Sequence, residues 1–168
     1  MKVVLLLDSL TPGGTETSTV ALLPALVERG VEVQLVTVRG GAGPLAAQVL
    51  ELGIPWTVLP EAGFVGRARA VRRLLREVRP DVLHTALFTA DQLGRVAAIG
   101  LPVTVLASLV STPYATQRMQ DPSVRRTRLR AVQALDSLST WLMVDHLQAV
   151  SEGVKSANAR HLRVKPGK

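Results

Sequence analysis

The sequence contains no cysteine, which excludes a disulfide framework, thiolate zinc sites and cysteine nucleophiles. Aromatic residues make up 3%, so the core must be built from Val, Leu and Ala. No apolar run is longer than a strand, and no transmembrane helix is expected. The N-terminus lacks the basic, apolar and cleavage-site succession of a signal peptide, and a cytoplasmic protein is expected. Several site motifs are missing as well. There is no GxGxxG, no GxxxxGK[ST] and no GxSxG, which argues against a generic dinucleotide fold, a phosphate-loop NTPase and an elbow-type serine hydrolase. His84, His146 and His161 lie far apart without HxxxH or HExxH spacing, and no metal is expected.

The 168 residues, 47% hydrophobic and 20% charged, suit one globular domain. The net charge of +7 allows nucleic acid, anionic lipid or phosphorylated ligands. With few aromatics and no recognition motif, nucleic acid is the least supported of the three.

The chain is organised around its first thirty residues. An apolar run at 2–7 is followed by turn formers from Asp8 to Thr15, and a helical pattern over 16–29 stops at Gly30. This reads as strand, glycine loop, helix, with a parallel strand returning at 31–37. Gly13 and Gly14 permit unusual torsions and remove side chains that would block a ligand. Thr15 is placed to cap the helix and Glu16 to complement its dipole. Pro24 falls inside the helix, and a kink or distorted turn is expected near Val20.

Further on, helices are expected over 44–52, 64–79, 89–100, 123–142 and 151–162. Strands are expected over 54–59, 81–84, 103–108 and 144–150. In the helix over 123–142, Ala131, Ala134, Leu135, Leu138 and Leu142 form the expected apolar stripe. Six alternations predict an α/β fold, a Rossmann-like three-layer sandwich with a parallel sheet in the order 3-2-1-4-5-6. Its first two helices would share one face and its next three the other. The crevice between strands one and four is then the expected ligand site.

The loops at the C-terminal edge hold the candidate residues. His84 ends strand four and could bond a hydroxyl or phosphate, act as a base, or be satisfied by the backbone. Ser111, Thr112 and Tyr114, in the long loop before the fifth helix, offer hydroxyls for sugar or phosphate contacts, or for turn capping. Arginines crowd two helices: Arg67, Arg69, Arg72, Arg73, Arg76 and Arg79 on one, Arg118, Arg125, Arg126, Arg128 and Arg130 in and before the other. They form either a patch for anionic lipid or diphosphate, or a solvated basic face.

In combination, these motifs resemble a known family. The opening Val3-Val4-Leu5-Leu6-Leu7-Asp8-Ser9-Leu10-Thr11-Pro12-Gly13-Gly14-Thr15-Glu16 resembles the GG-x-E start of family-4 glycosyltransferases. Leu26-Val27-Glu28-Arg29-Gly30-Val31-Glu32-Val33, Arg79-Pro80-Asp81-Val82-Leu83-His84-Thr85 and Asp91-Gln92-Leu93-Gly94-Arg95 continue it in order. Leu101-Pro102-Val103 and Ala149-Val150-Ser151-Glu152-Gly153-Val154 complete it.

The resemblance implies the N-terminal, acceptor-side domain of a GT-B enzyme over 1–163, with 164–168 approaching the hinge to an absent C-terminal domain. It implies a retaining transfer of a hexose from a sugar nucleotide to a hydroxyl, without metal or other cofactor, and no activity without the other half. Gly13, Gly14 and Thr15 would form the donor-diphosphate loop, with His84, Thr85, Ser111 and Tyr114 on the acceptor side. The family's EX7E motif has no counterpart here. Two acceptor histidines are also missing: Ala86 stands where HxH would end, and Val110 or Ser111 where a histidine would follow strand five.

Two alternatives follow. The first is a non-enzymatic partner subunit that recruits a catalytic chain, at the inner face of an anionic membrane. The second is a stand-alone nucleotide-binding domain, disfavoured because Val38-Arg39, not an acidic residue, ends strand two.

Overall fold

The computed structural model describes residues 1–41, 43–112, 114 and 125–162. Six strands form one parallel sheet: β1 (Lys2–Leu7), β2 (Glu32–Thr37), β3 (Trp56–Val58), β4 (Val82–Ala86), β5 (Thr104–Leu109) and β6 (His146–Ala149). Their order is β3-β2-β1-β4-β5-β6, the order expected from the alternation of elements. The helices are α1 (Gly14–Glu28), α2 (Pro44–Glu51), α3 (Phe64–Val78), α4 (Phe88–Ala98), α5 (Arg126–Met143) and α6 (Glu152–Leu162). The fold is Rossmann-like.

β1 lies between β2 and β4, with Leu5 opposite Leu35 on one side and His84 on the other. It is buried on both faces, hence its unbroken apolar sequence. Its odd residues Val3, Leu5 and Leu7 pack with Val20 and Leu23 of α1 and with Leu45 and Val49 of α2. Its even residues Val4 and Leu6 pack with Val71 and Leu75 of α3 and with Ala90, Leu93 and Ala97 of α4. Two cores therefore sit on opposite faces, α1 and α2 over one, α3 and α4 over the other. Gln92 of α4 bonds Asp136 of α5, which puts α5 beside α4.

Turn chemistry sets several boundaries. Gly30 takes φ of +72° after α1, a conformation that costs glycine little. Arg79 ends α3 in the left-handed region without that advantage, at φ 50°. β3 is shorter than its apolar run, because only Trp56–Val58 pairs with β2. β4 runs to Ala86, two residues beyond the expected 81–84. α1 continues through Pro24, which is exposed.

The sequence pattern misleads in two places. Thr15 does not cap α1: the N-cap is Gly13, with no side-chain hydrogen bond, and Thr15 lies inside the first turn. The helical pattern starts two residues earlier than its apolar periodicity suggests, since glycines contribute no signal to that period. The second case is α5. The expected stripe of Ala131, Ala134, Leu135, Leu138 and Leu142 is exposed, while Asp136, Ser139 and Thr140 are buried. The reason is a charged partner inside α4, described below. The start expected for this helix at Ser123, the basic position Arg118 and the hinge at 164–168 all fall outside the described residues.

Candidate functional site

All six strands end at one edge of the sheet, and the winding reverses between β1 and β4. The β1–α1 loop reaches this edge through Asp8, whose Oδ1 accepts the Ala90 N–H at 2.9 Å. Asp8 thus caps α4 from the neighbouring strand. α4 needs this, because its own N-cap, Leu87, provides no side-chain hydrogen bond. Leu87 also takes φ of 77° and ψ of 149°, a backbone region that disfavours side chains and costs of order 1–3 kcal/mol.

Gly13 and Gly14 lie across the crevice from that cap. Neither has a positive φ, so torsional freedom does not explain them. Space does. A Cβ on Gly14 would meet nothing within 4 Å, and one on Gly13 would meet only the Glu16 carboxylate. The N-cap residue Gly13 makes no side-chain hydrogen bond to the first turn of α1, and N–H groups at a helix start point outward. Thr15 occupies the same turn, where its carbonyl accepts the Ser18 hydroxyl at 3.1 Å.

The four acceptor-side candidates divide between the two faces of the sheet. His84 is half-buried and its Nε2 lies 2.7 Å from Ser108 Oγ on β5. Burial lowers its pKa from the ordinary histidine value, so the neutral ring predominates at pH 7. The next residue, Thr85, points the other way. Its hydroxyl is fully buried and donates to Asp91 Oδ1 at 2.5 Å. Tyr114 is also buried and donates to Asp136 Oδ2 at 2.8 Å. Burial, and next the Asp136 carboxylate, raise the Tyr114 pKa, so its hydroxyl remains a donor. Ser111 is exposed, and its carbonyl accepts Asn158 Nδ2 of α6 at 2.9 Å.

Thr85 and Tyr114 belong to a buried polar cluster that joins α4 to α5. At its centre is Arg95, 1% exposed. Its Nη1 lies 2.6 Å from Asp136 Oδ1 and 2.8 Å from Ser139 Oγ, and its Nη2 3.5 Å from Asp91 Oδ2. Gln92 Nε2 also donates to Asp136 and Ser139. Arg95 Nε has no partner among the described residues. Burial pushes the Asp91 carboxyl up to about 6, against the pull of Arg95 and of the Thr85 hydrogen bond. α4 can lie this close to β4 because of Gly94, where a Cβ would come within 2.5 Å of Thr85 Cγ2. A cavity of about 330 Å³ opens above the cluster, walled by Leu87, Phe88, Leu109 and Val132, with Asp91 and Tyr114 on its polar side. Among the described residues, no group of three or more His, Asp or Glu could hold a metal ion.

Asp8, Ser108, Arg95 and Asp136 were not visible as site residues in the sequence. Asp136, Ser139 and Thr140 do recur at polar i, i+3, i+4 spacing, as Asp91 and Arg95 do at i, i+4. Such spacing marks a polar face without telling whether it is buried.

The model of Glycosyltransferase Family 4 matches residues 12–168. The chain belongs to glycosyltransferase family 4. No curated protein matches this family-4 chain in a whole-sequence search. Among solved structures it is similar to HepE of Anabaena in complex with UDP-glucose, with TM-score 0.72 and 17% identity over 96% of this chain and 40% of that one. It is also similar to a glycosyltransferase of Rickettsia africae ESF-5 (TM-score 0.70, 12% identity, 98% and 40% covered). A third is the lipopolysaccharide outer core galactosyltransferase WaaB in its apo form (TM-score 0.65, 14% identity, 96% and 42% covered). At these identities the likeness is one of fold. The chain spans about two-fifths of the length of these structures.

Proposed function

We propose that this is the acceptor-side domain of a retaining glycosyltransferase that moves a hexose from a sugar nucleotide to a hydroxyl. A C-terminal half or a partner chain would hold most of the donor, and the domain alone would be inactive. The observation that carries this reading is the open, uncapped α1 N-terminus at Gly14, facing the crevice where the winding reverses. A diphosphate there would take hydrogen bonds from the N–H groups around Gly14 and Thr15 and would complement the helix dipole. Gly14 leaves room for its approach. HepE, solved with UDP-glucose, and the galactosyltransferase WaaB support a sugar-nucleotide donor.

On the acceptor side, neutral His84 and Ser108 form a hydroxyl-binding pair beside the crevice. Ser111 and Tyr114 both line the cavity. Thr85 contributes indirectly by fixing Asp91. No metal is required in this scheme, because backbone N–H groups would carry the diphosphate charge.

The test is Gly14→Val in the complete enzyme. A Cβ there meets open space, so folding should be retained while transfer from a UDP-sugar falls at least tenfold. Kinetics equal to the parent would reject the loop assignment.

A further inference from the structure

The cavity above the buried charge cluster offers a ligand mostly carbon, because most of its polar groups are already engaged. Its volume of about 330 Å³ is at the small end of the roughly 300–1,000 Å³ of small-molecule sites, which suits a single ring system. Leu87, Phe88, Leu109, Val110, Leu129 and Val132 supply the apolar wall. The polar side chains on the wall largely bond one another. Asp136 accepts from the Tyr114 hydroxyl and from Arg95. Asp91 pairs with Arg95 and accepts from the Thr85 hydroxyl. Asn158 spends its Nδ2 group on the carbonyls of Ser111 and Val154. Ser108 also lines the cavity and lies 2.7 Å from His84 Nε2, so the cavity adjoins the hydroxyl-binding pair.

We propose that this cavity receives the apolar ring of an uncharged alcohol or phenol. The proposal rests on the glycosyl-transfer reading, for which it names the class of acceptor. A sugar in the cavity would bury several hydroxyls against carbon and against polar groups whose hydrogen bonds are taken, and unpaired buried hydroxyls oppose binding. An acceptor with a carboxylate or phosphate would meet Asp91 and Asp136 against Arg95 on the described wall, which leaves no surplus positive charge to hold it. An uncharged ring meets neither cost. It lies against Phe88, which is 44% exposed and open to offset or edge-to-face packing by an aromatic group. Its hydroxyl turns toward Ser108 and the neutral His84. In the transfer, the acceptor oxygen bonds C1 of the hexose as the C1–O bond to the diphosphate breaks, and the hydroxyl proton leaves with the nucleoside diphosphate.

The test titrates the whole gene product with naphthol, methyl glucoside and phenyl phosphate in a calorimeter at neutral pH. Naphthol should bind at least tenfold more tightly than either of the others. Val132→Trp, which fills the cavity, should weaken naphthol binding at least tenfold, and Phe88→Ala, which removes an aromatic wall, several-fold. Phe88 is exposed and Val132 partly so, and circular dichroism should show both variants folded. Absence of naphthol binding overturns the proposal, as does glucoside or phosphate bound as tightly, or naphthol binding that neither variant changes. Transfer from a UDP-sugar is measured separately. Naphthol that binds in the cavity and is never glycosylated supports the ring site and counts against the glycosyl-transfer reading. Transfer to the glucoside with no naphthol bound upholds that reading and overturns the ring site.

Discussion

α3 and α5 are the two arginine-rich helices of the sequence, and they are built in opposite ways. α3 turns Ala68, Val71 and Leu75 inward and leaves Arg69, Arg73 and Arg76 in water. One of its arginines does structural work: Arg72 Nη1 donates to the carbonyls of Ala97 and Ile99 at 2.9 and 2.6 Å, finishing the open end of α4. α5 turns Asp136, Ser139 and Thr140 inward and its leucines outward. The same composition thus gives a helix held by apolar burial in one case and by a buried charge pair in the other. A buried pair adds little net stability over an apolar isostere, yet losing one member is costly. α5 is therefore specified in orientation more than it is stabilised.

The sharpest way to break this contrast is Arg95→Met. It strands the Asp136 carboxylate and should lower unfolding free energy by about 3–5 kcal/mol in urea titrations. A Leu→Ala pair sharpens it further. Leu75→Ala in α3 empties a buried site and should cost about 2–5 kcal/mol, whereas Leu138→Ala in α5 should stay within about 0.5 kcal/mol. Equal losses would mean that α5 packs by its leucines after all.

Asp91 gives the contrast a pH signature. Its folded pKa of about 6 lies above the ordinary 3.8. Folding is therefore favoured by this group when both states hold the proton, and that contribution is lost as pH rises from about 4 through 6. The full swing is at most ~3 kcal/mol. Asp91→Asn should flatten that part of the stability profile, measured by urea unfolding at intervals across the range. A smaller loss than those of Arg95→Met and Leu75→Ala is expected for Asp8→Ala, which removes the α4 cap and should cost about 1 kcal/mol in the same assay.

The two helices also show how far the sequence could be read. The helix expected over 64–79 forms as α3, with Ala68, Val71 and Leu75 turned toward the sheet. The order of strands was legible because each strand is a short apolar run, and right-handed crossovers leave few arrangements. α5 was misread because an apolar stripe signals a buried face only when nothing polar competes for the interior. The competitor, Arg95, sits 41 residues from Asp136, and a single sequence carries no mark of that pairing. The turn before α1 was legible from its residue types, but the open space at Gly14 is a property of its surroundings. Asp8 was passed over because its partner is a backbone N–H far along the chain.

That bond between Asp8 and Ala90 spans 82 positions, and this bears on the order in which the molecule assembles. An eleven-residue helix such as α4 is marginal by itself in water, and its missing cap arrives only once β1 has paired with β4. That pairing closes a large loop of chain, a slow event compared with helix formation. α4, and with it the buried charge cluster and α5, should therefore consolidate late, after the first half of the sheet has formed. In a refolding experiment followed by hydrogen exchange, amides of β1, β2 and α1 would gain protection before those of α4 and α5.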